Sequence, residues 1–99
     1  MRARELVVDG NLSGTGIRDA LNGGYLNPRE IGLSSALSQR IEEWVANYEV
    51  EHYAGYKNLH RNNQLDGDGI EIAKLVKCEL PKSKVQYFSS ASMQKIWIK

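Results

Sequence analysis

From Leu33 to Tyr48, apolar side chains return every three or four residues, at Leu33, Leu37, Ile41, Trp44, Val45 and Tyr48. That spacing lays them along one stripe of an α-helix. Ser34 or Ser35 can accept a hydrogen bond from a free N–H at its start, and Gly55 suits its end, so the spacing predicts a helix over 34–53. A second stripe, Gly69, Ile72, Ala73, Val76 and Leu80, predicts another helix that Pro81 stops. Asp66 or Asp68 would cap it, leaving Tyr56 to Gln64 as a polar loop. Two one-sided helices need an apolar layer to cover.

Strand signals lie at both ends of the chain. Leu6, Val7 and Val8 form a short apolar run closed by Asp9-Gly10. After Pro81 the period changes to two, with Val85 and Tyr87 alternating with Lys84, Gln86 and Phe88. Ile96, Trp97 and Ile98 read as a further strand, joined through Ser89–Ser92 by a hairpin loop or one helical turn. Residues 11–32 are glycine-rich and irregular, with turns at Asn22-Gly23-Gly24 and Asn27-Pro28. Tyr25 and Leu26 form a short strand there or tack the loop onto the core. The expected fold class is α/β in the α+β two-layer sense, a small sheet packed on two helices. Its order is β, irregular, α, α, β, with room for one more strand. Ninety-nine residues suffice for one domain, 1–99.

Charge and composition narrow the function classes. Thirteen basic against twelve acidic residues leave +1, too little for a polybasic nucleic-acid coat or membrane binder. Apolar runs stay far below the ~20 residues needed to cross a bilayer, and no leader pattern follows Met1. A lone Cys78 leaves no internal disulfide and fits the reducing cytoplasm.

The catalytic and ligand motifs mostly fail on inspection. Gly14-Thr15-Gly16-Ile17-Arg18-Asp19 begins like a dinucleotide turn, but Asp19 stands where the third glycine belongs. Asp66-Gly67-Asp68-Gly69 resembles part of a calcium loop, yet Leu75 falls where a bidentate glutamate is required. Glu49-Val50-Glu51-His52 offers a single Glu-x-x-His, where a di-iron site needs two. His52 continues the apolar stripe as a packed, bonded histidine, and His60 lies in the polar loop. No cofactor and no metal is expected.

The distribution of charge says more than its total. Residues 41–56 carry Glu42, Glu43, Glu49 and Glu51 without a lysine or arginine, whereas the tail after Pro81 carries Lys82, Lys84, Lys95 and Lys99 without an acid. A 100° step per residue turns Glu42, Glu43, Ala46, Glu49, Val50 and Tyr53 away from the core stripe. Carboxylates around an aromatic anchor suit docking onto a basic protein surface. Glu42, Glu43, Glu49 and Tyr53 are the candidate contact residues, with Glu51, Tyr56 and His60 as neighbours.

Gly16–Ser34 (GIRDALNGGYLNPREIGLS), the Trp44 helix with HYAG at His52–Gly55, LDGDGIEIAK at Leu65–Lys74 and KVQYFS at Lys84–Ser89 form a recognisable set. Together they resemble the small immunity proteins encoded beside bacterial polymorphic toxins, especially those of contact-dependent growth inhibition systems. The resemblance implies a cytoplasmic protein, not an enzyme, that binds the C-terminal toxin domain of a large effector and occludes its active site. Many such toxins are nucleases with basic substrate surfaces, which an acidic face would meet. Direct contact with nucleic acid or membrane is not implied. Two rival readings stand beside it: a small nuclease-like enzyme using His52 and His60, and a nucleic-acid module using the basic C-terminal tail and Trp97.

Overall fold

The computed structural model describes residues 4–98. Four strands and two helices follow in the order β1 (Glu5–Asp9), β2 (Ile17–Asp19), α1 (Ser35–Tyr53), α2 (Leu59–Glu79), β3 (Lys84–Ser89) and β4 (Gln94–Ile98). The sheet runs β2-β1-β3-β4. β1 and β3 are parallel, with Val8 opposite Tyr87, while both outer pairings are antiparallel. A parallel pair needs a crossover, and the two helices supply it.

The result is the two-layer α+β arrangement read from the periodicities. Leu6, Val8, Val85, Tyr87 and Ile98 from the sheet meet Leu37, Ile41, Trp44, Tyr48, Leu65, Ile72, Ala73 and Val76 from the helices. Removing these side chains from water drives the layers together, at about 1.5–3 kcal/mol for each large aliphatic. The first helix matches its expectation closely. Ser34 caps it, its Oγ accepting from the Leu37 N–H at 3.2 Å, and Gly55 follows its end at φ +76°. Glu79 at the end of α2 accepts from the Ser34 N–H and hydroxyl, tying one helix's start to the other's finish.

Two boundaries differ from the sequence reading. α2 begins at Leu59, not after Asp68, because Asn58 is the cap: its Oδ1 accepts the Arg61 N–H at 3.0 Å. Most of the expected 56–64 loop is therefore helix, and His60 stands in the first turn of α2 rather than in a loop. Neither Asp66 nor Asp68 is a cap. The irregular segment also contains β2, whose three residues extend the sheet beside β1. Tyr25 forms only a single bridge, to Arg18.

A helix through Leu65-Asp66-Gly67-Asp68-Gly69 defies local propensity, since two glycines each cost about 1 kcal/mol relative to alanine. Tertiary contacts override it. A Cβ on Gly69 would come within 2.7 Å of Trp44 Cζ2 and closer still to Tyr87, so only glycine lets α2 seat against the sheet. The Trp44 Nε1–H donates to the Leu65 carbonyl at 2.8 Å, pinning the same turn to α1.

Candidate functional site

Six of the seven candidate residues form two groups, one in the middle of α1 and one where α1 turns into α2, while Glu51 joins neither. Glu42 and Glu43 sit in the middle of α1, both exposed. Arg29 holds Glu42 in an ion pair at 2.7 Å, and Gln39 donates to Glu43 at 3.3 Å. Glu43 also lines a groove of about 180 Å³ between the helices, together with Arg40, Arg61 and Asp68. Tyr53 lies ten residues beyond Glu43, about 15 Å along the axis. The middle of α1 is thus less acidic than its sequence, because Arg29 neutralises one carboxylate.

The second group forms the corner where α1 turns into α2. Val50, Tyr53 and Leu59 are 64%, 73% and 74% exposed there. Lys57, Asn58 and His60 are exposed beside them, so the hairpin's tip sets three large apolar side chains among polar ones. Glu49 flanks them, half-buried, and His60 follows Leu59 on the exposed first turn of α2. Glu51 is different: it is only 9% exposed, so it faces inward and takes no part in the outer face. His52 also departs from its expected packing. It is exposed, and Nδ1 lies 3.2 Å from the Tyr56 hydroxyl.

The corner carries backbone strain. Tyr56 adopts φ +55°, a left-handed conformation that costs a residue with a Cβ about 1–2 kcal/mol. Its neighbours enforce it. The Tyr56 N–H donates to the Glu51 carbonyl at 2.9 Å, and its carbonyl accepts from Asn62 Nδ2 at 2.8 Å. Its ring stands edge-on to Tyr48 at 6.0 Å and to His52 at 5.7 Å. His52 is likewise edge-on to Tyr53 at 5.7 Å. Tyr56, held on several sides, is the ordered member of this cluster, which lowers the cost of a contact made there.

Beneath the corner lies a polar hub that sequence reading missed. Asp66 accepts from the hydroxyls of Tyr48 at 2.8 Å, Tyr87 at 2.6 Å and Ser89 at 2.8 Å. Burial pushes the Tyr48 phenol up to about 12, with the Asp66 carboxylate adding to it, and raises that of Tyr87 further. Both rings are fully buried and hold α1, α2 and β3 in fixed relation. Three elements converge on one carboxylate separated by 18 to 23 residues from its donors, which no local spacing announces.

A second polar centre lies at the end of β1. Asp9 is wholly buried; its Oδ1 accepts from Tyr25 at 2.9 Å, and Oδ2 faces Arg18 Nε at 3.3 Å. Burial raises the Asp9 carboxyl above its ordinary value, against the hydrogen bonds and the Arg18 charge. It fastens the 11–26 segment to the sheet.

For the histidine pair, no hydrogen bond joins His52 to His60 among the described residues. Cys78 is exposed on α2. Among the described residues, no three His, Cys, Asp or Glu side chains gather as metal ligands. No helix of the described residues is long and apolar enough to cross a membrane. No protein-family model matches the chain, and no curated protein matches it.

Proposed function

We propose that this protein is a stoichiometric inhibitor of the immunity type, which docks its α1–α2 corner onto a cognate bacterial toxin domain in the cytoplasm. The supporting observation is the corner itself: Val50, Tyr53 and Leu59 exposed beside Glu49, on a backbone strained at Tyr56. An exposed tyrosine on a held backbone serves as a binding anchor, with Glu49 as the carboxylate beside it and Lys57 and His60 exposed on the same turn. A nuclease domain offers a basic surface where it meets its substrate's phosphates. Glu43 carries the acidic margin toward the middle of α1, where Arg29 already pairs with Glu42.

Co-expression with the C-terminal domain encoded by the adjacent upstream gene tests the reading. A co-eluting complex that restores growth is expected. A toxic domain that neither binds this chain nor is neutralised by it would end the immunity reading. Mapping follows with Glu49→Lys and Tyr53→Ala combined, which should weaken the complex by about 100-fold. Full affinity in that folded double variant would remove the corner as the docking site.

A further inference from the structure

The two edges of the sheet are treated differently. Beside β2, the chain itself closes the edge: Leu26 N–H donates to the Ile17 carbonyl and Asp19 N–H to the Gly24 carbonyl, both at 2.9 Å. β4, at the other end of the sheet, has five residues without proline, and its outer side faces no strand of the described residues. Exposed β edges usually carry a device against pairing, such as a proline, a bulge or several charges. This one has Lys95 as its only charged residue, next to Ile96 at 43% and Trp97 at 59% exposure.

We infer that β4 pairs with β4 of a second copy, antiparallel about a two-fold axis at Ile96, so that two four-stranded sheets become one. The inference is independent of the toxin reading. Charge selects both the partner and the register. With both helix layers on the same side of the joined sheet, facing residues have the same parity, so the axis passes through a residue. Centred on Lys95, the pairing would oppose two ammonium groups, which is unfavourable. Centred on Trp97, it would run past Ile98, the end of β4, and leave Lys95 only diagonal to Trp97 of the other copy. Centred on Ile96, it sets Lys95 of each copy against Trp97 of the other on the open face of the sheet. It also sets Ile96 against Ile96, and Gln94 against Ile98, on the helix face. An ammonium over an indole is a favourable cation–π contact, and two form for every pair of copies. Lys95, the one charge on β4, thereby favours pairing with the same strand of a second copy.

Sedimentation equilibrium between about 1 μM and about 1 mM tests this. The mass should rise from 11.2 kDa toward twice that value. Ile96→Lys, which opposes two ammonium groups at the axis, should weaken the dimer by about tenfold or more, and Trp97→Ala should weaken it as well. Each variant's fold is checked by circular dichroism. A chain that stays monomeric throughout overturns the inference, as does a dimer that a folded Ile96→Lys leaves unchanged. Should that variant fail to fold, amide exchange on the unaltered protein decides. Protection of 94–98 that grows with concentration supports β4 pairing, and protection growing only elsewhere refutes it.

Discussion

Tyr48 of α1 and Tyr87 of β3 donate to the same oxygen, Asp66 Oδ1, at 2.8 and 2.6 Å. With Ser89 on Oδ2, this carboxylate joins both helices to the sheet. The α1–α2 corner stands on it, because the Tyr48 ring that it holds also packs against Tyr56.

Removing the acceptor should therefore destabilise the whole fold. Asp66→Ala removes the acceptor of two buried phenols and one buried hydroxyl, leaving the Tyr48 and Ser89 hydroxyls only each other to donate to, at 3.3 Å, and the expected loss is about 2–4 kcal/mol. Asp66→Asn keeps acceptor capacity on one atom and should lose less. Urea unfolding of both variants gives the comparison, and equal stability of Asp66→Ala and the parent would contradict the hub.

The same hub sets the alkaline limit of stability. The folded protein keeps the Tyr48 proton up to about 12, above the ordinary value of 10, so it binds that proton more tightly than the unfolded chain does. The associated stability is complete below pH 10 and is lost as pH rises toward 12. The expected loss is about 2–3 kcal/mol from Tyr48 alone. Unfolding free energies measured in steps from pH 8 upward should fall over that window, and less so in Tyr48→Phe.

The two neighbouring glycines of α2 should respond in opposite directions. Gly69→Ala drives a methyl into Trp44 and Tyr87 and should cost about 3 kcal/mol or more. At Gly67 nothing lies within 4 Å of an added Cβ, so Gly67→Ala should stabilise the helix by about 0.5–1 kcal/mol. Thermal melts of the pair read both signs at once.

The two groups of acidic residues can be told apart by binding to the toxin domain. Glu49→Lys with Tyr53→Ala should raise the dissociation rate, since both lie at the corner. Glu42→Lys with Glu43→Lys should mainly slow association and flatten its salt dependence, because charges outside the contact act through steering. Stopped-flow rates at two ionic strengths separate these outcomes. A larger dissociation effect from the Glu42 and Glu43 pair would move the docking site to the middle of α1.

Much of this protein was legible along the chain. The stripe from Leu33 to Tyr48 sets α1 and its buried face, because helical geometry repeats locally and Ser34 caps within three residues. The alternation from Lys84 to Phe88 sets β3 and which of its side chains meet the helices. Sequence position alone also put Val50 and Tyr53 on the outside of α1. Other features depend on partners far away in sequence. Asp66 and Gly69 have the residue types of a turn, and they are helical because Tyr87, Ser89 and Trp44 make an acceptor and a missing Cβ worth more than local propensity. Glu51 carries a charge that reads as surface, yet the fold buries it. Arg29 neutralises Glu42 across 13 residues, and Asn62 and Glu51 hold Tyr56 in a conformation its own side chain disfavours. Periodicity and caps act over three or four residues, so the sequence by itself determined α1, β1, β3 and the later half of α2 with their apolar faces, but neither β2 nor the start of α2. Hydrogen-bond acceptors, close packing and ion pairs form between elements, and only the tertiary structure decided where those fall.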